Sequence, residues 1–423
     1  KKILVIGCIW PEPASSAAGQ HMMQLLDLFL AQGWKITFAS TAVRSEYAAD
    51  LSTLGIDQQD ILVNCDSFNA WLATWQPDIV VFDRFMTEEQ FGWRVEQVCP
   101  HALRVLNSED LHALRDARHR LLKKPVADNT AWAPALDPQC LFDAMAATDI
   151  AQREIAAIFR CDLSLMVSDF EIALLQDHFN VPAALLCHCP FMLDPPDANH
   201  WNTFESRRDF VSIGTFMHAP NRDAVRYLKQ TLWPSIRKQL PDARLFIYGS
   251  YAAPQDLALH NPREGFHVPG RAEDALQVMS AARVCLAPLR FGAGIKGKLA
   301  EAMLCGTPSV TTSIGAEAMH GELAWSGVVA DDAQAFADAA VALHEQQADW
   351  QIAQHNGLQI LAGRFDKDVI GARVVYRLQD MAAQLDTHRH HNFIGSMLRH
   401  HLHKSTHYMS RWIEAKNRLP KNT

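Results

Sequence analysis

The residues between 288 and 319 hold the chain's clearest chemistry. An apolar run at 284–287 leads into a glycine turn, Phe291-Gly292-Ala293-Gly294. A helical pattern follows from about 295 to 305, with Ile295, Leu299, Ala302 and Met303 on one side and Gly306 placed to end it. Strand, glycine turn and helix start together make a phosphate site. The first N–H groups of a helix have no partner within it, and its dipole favours an anion. Gly292 and Gly294 let the backbone come close to such a ligand, while Arg290, Lys296 and Lys298 add positive charge. Glu301 stands seven residues beyond Gly294, roughly 10 Å of helical rise. That spacing suits a carboxylate on a sugar hydroxyl while amides hold phosphate. The plainer alternative is a tight α/β turn beside a solvated Lys–Glu pair, and a glycine turn alone does not choose between them.

Other reactive groups fall at strand ends. Apolar runs at 3–6, 79–82, 103–106, 163–167, 210–213 and 245–248 read as buried strands alternating with helical patterns. This predicts an α/β chain with doubly wound parallel sheets. Ligands gather at the C-terminal ends of such strands. There the sequence puts Asp83-Arg84 and, after the next strand, Asn107-Ser108-Glu109-Asp110-Leu111-His112. Glu109, Asp110 and His112 are candidates for acid–base work, or Ser108 or Asp110 is simply a helix N-cap. Gly214 and His218 follow the 210–213 strand, and Arg271 follows the run at 266–270. The first loop, 10–19, has Ser15, Ser16 and Gly19 but no Gly-x-Gly-x-x-Gly, which argues against a dinucleotide site. A helix of about 221–240 is expected, with Ala224, Val225, Leu228, Leu232 and Ile236 on one face. Residues 115–160 are Arg-rich, with a loop expected at 125–138, and read as a solvated face rather than a site for an acidic acceptor. Cys187-His188-Cys189 is structural, because neighbours on a strand point to opposite faces.

Glu301-Ala302-Met303 followed by Gly306-Thr307-Pro308, after the glycine turn, resembles the nucleotide-binding signature of GT-B glycosyltransferases, in particular the large family 4 group. The resemblance covers nearly the whole chain, most closely residues 211–319. It implies two Rossmann-like domains facing a central cleft, with domains at 1–190 (acceptor side) and 209–365 (nucleotide sugar). A linker at 191–208 joins them, a helix at 366–387 crosses back, and a basic His-rich tail occupies 388–423. It implies transfer of a sugar from a nucleotide-diphosphate donor, with retention, in glycan or surface polysaccharide synthesis. No metal or other cofactor is implied. Glu301 would hold ribose hydroxyls. Gly19, Gly214, His218, Arg271, Arg290, Gly292, Gly294, Lys296 and Lys298 would contact the donor. Glu109-Asp110 stands where the family often has a His-Asp pair. Ala293 stands where the family commonly has a second Glu, and so departs from its pattern. Acceptor identity stays open, with a glycan or lipid-linked glycan favoured over RNA or protein. A nucleotide-sugar 2-epimerase, a silent nucleotide-binding protein and a scaffold are the alternatives.

Composition sets the remaining bounds. The 423 residues are long enough for two domains and carry a net charge of −8. Nine scattered cysteines with no Cys-x-x-Cys point to a reducing cytoplasm. The charge is uneven: residues 388–423 hold seven Lys and Arg against Glu414 alone, so the body is strongly acidic. Such a tail suits a peripheral contact with the inner face of a membrane, a nucleic-acid arm, or packing with no partner.

Overall fold

A computed structural model describes residues 1–123 and 137–418, apart from the side chains of 401–404. Most of the loop expected at 125–138 lies outside these residues. The first sheet comprises β1 (Lys2–Gly7), β2 (Lys35–Ser40), β3 (Asp57–Asp60), β4 (Ile79–Asp83), β5 (Leu103–Asn107), β6 (Leu163–Met166) and β7 (Leu186–His188). All pair in parallel, in the order β3-β2-β1-β4-β5-β6-β7. The second sheet comprises β8 (Arg208–Ile213), β9 (Leu245–Tyr248), β10 (Phe266–Gly270), β11 (Ala282–Ala287), β12 (Ser309–Thr311) and β13 (Gly327–Val329). It is also parallel, ordered β10-β9-β8-β11-β12-β13. Both faces of the central strands are covered, so Ile3 to Ile6 and Val80 to Phe82 are all buried. Strand order reverses between β1 and β4 and between β8 and β11, and a crevice opens at each reversal.

The helices that matter to the site are α1 (Ala17–Ala31), α2 (Phe85–Val98), α3 (His112–Leu122), α4 (Asp149–Arg160) and α5 (Asp169–Asp177) in the first half. In the second half they are α6 (Gly297–Leu304), α7 (Lys367–Ala383) and α8 (Phe393–Arg418). Ser16 caps α1 by accepting from the Gly19 N–H at 3.0 Å. Leu25, Leu26 and Phe29 of α1 share one buried cluster with Ile370, Val374, Leu378 and Met381 of α7. The chain thus returns from the second sheet to pack on the first, and each such buried side chain contributes roughly 1.5–3 kcal/mol. The starts of α1 and α6 touch: a Cβ on Gly297 would lie 2.6 Å from the Ala17 Cβ.

The 221–240 segment departs from the expected single helix. It runs as Ala219–Tyr227, a π turn at Leu228–Leu232, and Trp233–Gln239. Pro234 explains the break, since it has no N–H to continue the ladder. The apolar face is as expected, with Ala224, Val225, Leu228, Leu232 and Ile236 buried.

The tail packs on the first domain. Arg389 pairs with the buried Asp162 at 2.7 Å, Asn392 donates to the Phe159 carbonyl at 2.8 Å, and Arg399 meets Glu96 at 3.1 Å. Glu414 pairs with the buried Arg94 of α2 at 3.1 Å.

Candidate active site

A cavity of about 450 Å³ lies between the C-terminal ends of the two sheets. Ile9 after β1, Arg84 after β4, Gly214 after β8 and Leu289 after β11 all line it. It therefore sits on both strand-order reversals at once. Of the residues singled out from the sequence, Glu109, Asp110, His112, Gly214, His218, Arg271, Gly292, Gly294, Lys296, Lys298 and Glu301 line it as well.

The second domain supplies one wall. Gly292 and Gly294 have φ of +155° and +63°, conformations that side chains disfavour. Lys298 donates to Asn221 Oδ1 at 2.8 Å, and burial lowers its ammonium to about 8. Gly214 faces that pair: a Cβ there would lie 2.6 Å from Asn221 Nδ2 and 2.8 Å from Lys298 Nζ. Lys296 donates to the Gly294 carbonyl at 2.6 Å and is likewise lowered by burial to about 8. Glu301 projects from the second turn of α6 and accepts from Gln20 of α1 at 2.5 Å. Burial raises its carboxyl, against the pull of Gln20 and Lys298. Burial also lowers His218 to about 4, so it is neutral at physiological pH. The Arg271 guanidinium lies over the Tyr47 ring at 4.7 Å.

The first domain supplies the other wall. Asp110 is ion-paired with Arg115. Burial opposes its charge, but Arg115, His112 and His218 outweigh burial and hold it well below the usual carboxylate range. His112 Nε2 lies 3.6 Å from the Asp110 carboxylate, and burial lowers the imidazole to about 4. Glu109 has φ of +62° and Arg84 has φ of +69° with ψ of 156°. For Arg84 this is a region almost reserved for glycine, and strain of that kind clusters at functional sites.

Several expectations need correcting. Arg290 does not line the cavity; it is ion-paired with Asp223 and lies over Tyr227 at 4.8 Å. Gly19 is also absent from the lining, and its lack of a side chain serves packing: a Cβ would lie 2.5 Å from the Glu12 carbonyl. Its neighbours Ala17, Ala18 and Gln20 face the cavity instead. The Gly294 amide is not open to a ligand, because it donates to Glu171 Oε1 at 2.7 Å. Neither Ser108 nor Asp110 caps α3. Glu154 of α4 does so, accepting from the His112 and Ala113 N–H groups at 2.9 Å each. The Arg-rich stretch is not wholly a solvated face, since Arg118 is fully buried and bonds Glu317 of the second domain at 2.8 Å.

Residues 207–346 match the family described as glycosyl transferases group 1. By that domain the chain is a glycosyltransferase. Solved structures give the fold of the whole chain as GT-B. Sucrose-phosphate synthase from Thermosynechococcus elongatus is 16% identical, with a TM-score of 0.62 over 90% of this chain and 99% of that one. HepE of Anabaena, solved in complex with UDP and glucose, has 16% identity and a TM-score of 0.62 over the same shares, 90% and 99%. WaaG, a glycosyltransferase involved in lipopolysaccharide biosynthesis, has 14% identity and a TM-score of 0.60 over 88% and 98%. None of the curated proteins matches the chain by sequence.

In this glycosyltransferase the two walls differ in chemistry. The second-domain wall offers two lysines, a helix start and a carboxylate in that helix's second turn. The first-domain wall offers a neutral imidazole beside an ionised carboxylate, and a neutral imidazole can accept a proton. Arg84, Arg115, Gln20 and Asn221 also face the cavity but were not singled out from the sequence as site residues. Arg84 did stand at a strand end; its positive φ had no sequence signal. Among the described residues no three His, Cys, Asp or Glu side chains converge to hold a metal ion.

Proposed function

We propose that the enzyme moves a sugar, with retention, from a nucleotide diphosphate bound on the second-domain wall to a hydroxyl presented on the first-domain wall. The observation that carries this reading is the convergence of Lys298, Glu301 and the α6 start on one face of the cavity. Glu301 holds the ribose hydroxyls. Lys298, Lys296 and Arg271, with the N–H groups at the start of α6, stabilise the charge that develops on the leaving diphosphate. The bond between the anomeric carbon and the diphosphate oxygen breaks with its electron pair going to the diphosphate. The acceptor oxygen forms the new bond, and its proton passes to the diphosphate or to His112 beside Asp110. In this reading the lysines and amides supply the charge stabilisation, and no cofactor besides the donor is invoked. HepE was solved with UDP, which makes uridine diphosphate sugars the first donors to try.

Thermal unfolding against UDP, GDP, ADP, CMP and their sugars tests the reading. A ligand at 100 times its Kd adds about 2.7 kcal/mol to stability. A shift with one diphosphate, absent in Glu301→Ala, is expected; no shift with any of them at millimolar concentration refutes it. Analysis of the products separates transfer from isomerisation of the donor.

For the acceptor we favour a glycan or lipid-linked glycan used at an anionic membrane surface, with the enzyme in the cytoplasm. The exposed side chains of α8 support this: Tyr408 and Trp412 are exposed in its C-terminal half, where Lys416 lies over the Trp412 ring at 5.2 Å, and Phe393 is exposed at its start. No helix among the described residues is long and apolar enough to cross a membrane. Deleting the tail would strip Asp162 and Arg94 of ion-pair partners, so surface substitutions are the better test. Co-sedimentation with phosphatidylglycerol vesicles should fall in F393S/Y408S/W412S; unchanged sedimentation, or none in the wild type, refutes this part.

A further inference from the structure

Two side chains of the first domain hydrogen-bond the backbone of the glycine turn, one at each end. Glu171 of α5, fully buried, accepts the Gly294 N–H through Oε1 at 2.7 Å. The same oxygen accepts the Leu111 N–H at 3.2 Å, inside the turn that carries Glu109, Asp110 and His112. Its Oε2 is buried with no hydrogen-bond partner, so two N–H groups from opposite walls set the side chain's place. Arg118 of α3 donates to the Gly292 carbonyl at 2.9 Å and, through both terminal nitrogens, to Glu317 at 2.8 and 2.5 Å. The two turns are in close contact here: a Cβ on Gly294 would lie 2.9 Å from the Asp110 Cβ.

We infer that Glu171 is a positioning residue for the transfer step: its Oε1 sets the separation of the donor-side glycine turn from the acceptor-side turn, with Arg118 holding the other end. The role rests on the proposed function, whereas the contact itself does not. An oxygen shared by two N–H groups loses one of them if either turn shifts by an ångström. Misplacement on that scale costs about 10²-fold in rate. The nucleotide, by contrast, is gripped by Lys298 and Glu301, which Glu171 does not touch.

Glu171→Gln keeps an acceptor oxygen in place; Glu171→Ala and the bulkier Glu171→Met remove it, and using both guards against a variant that fails to fold. The first measurement needs no nucleotide. Hydrogen exchange at the Gly294 amide should be about tenfold faster or more in E171A and E171M, and close to wild type in E171Q. The second is hydrolysis of whichever UDP, GDP or ADP sugar binds the wild type best. In E171A and E171M, kcat should fall about 30–100-fold with the nucleotide Kd little changed, and E171Q should restore it. Unchanged Gly294 exchange overturns the inference, as does an unchanged kcat or a loss of kcat that E171Q shares. If the wild type binds no nucleotide, the proposed function fails, and the exchange result still decides whether Glu171 ties the two turns.

Discussion

Replacing Glu301 by alanine should act on donor affinity by two routes that pH separates. The direct route is loss of the ribose contact. A hydrogen bond to a charged group is worth about 1.5–3 kcal/mol, so two hydroxyls give about 3–6 kcal/mol, or roughly two to four decades in Kd. The indirect route runs through Lys298. Burial holds that ammonium near 8, and Glu301 is one of the groups keeping it charged. Without Glu301 its pKa falls further, and a smaller fraction carries charge at pH 7.5. Lowering the pH to 6 restores that charge and should recover part of the lost affinity. The ribose part stays lost. The fold should survive, because Gln20 lines the cavity and its freed amide can turn to water. Calorimetric titration of the best-binding nucleotide diphosphate into wild type, E301A and E301Q at pH 6 and 8 reads both parts. A folded E301A with wild-type affinity at both values would refute the reasoning.

Lys298→Ala should weaken nucleotide binding by about 2–3 kcal/mol, while Arg290→Ala, whose guanidinium faces Asp223, should leave it nearly unchanged; equal losses in one titration series would reverse their assignments. Arg118→Ala should cost about 3–5 kcal/mol in urea unfolding because it strands a buried carboxylate, and R118M/E317M should recover most of this; an R118A as stable as the wild type would count against that. Glu171 carries a pH signature. Burial, with Asp110 adding, raises its carboxyl from 4.5 to about 8, so its stability contribution is complete below pH 4.5 and is lost as pH climbs through 8. The midpoint difference between E171Q and wild type should therefore move in the variant's favour from pH 5 to pH 9; a flat difference would show that Glu171 is ionised throughout.

The second domain was the more legible from sequence. Its glycine turn, Lys298 and Glu301 are local signals within one short stretch. Strand β3 was not visible, because Asp57-Gln58-Gln59-Asp60 is an edge strand paired on one side and carries no apolar pattern. The cross-domain contacts were equally hidden. Glu171 and Gly294 are 123 residues apart, Gln20 and Glu301 are 281 apart, and no local periodicity relates them. Arg118 read as one of several surface arginines because charge alone does not reveal a buried partner 199 residues away. Arg290 failed for the opposite reason. It stood beside the glycine turn in sequence, but Asp223 draws it to the far side of the loop.

The meeting of α1 and α6, with Ala17 against Gly297, has an electrostatic consequence. The two N-terminal ends, each carrying a partial positive charge, lie side by side along the cavity wall, an arrangement that favours an anion beside both. Such an anion would contact both domains at once, and the proposed donor brings one in its diphosphate. That group does not leave with the sugar. The nucleotide left after the proposed transfer still carries the diphosphate, and with it the charge that offsets both helix starts.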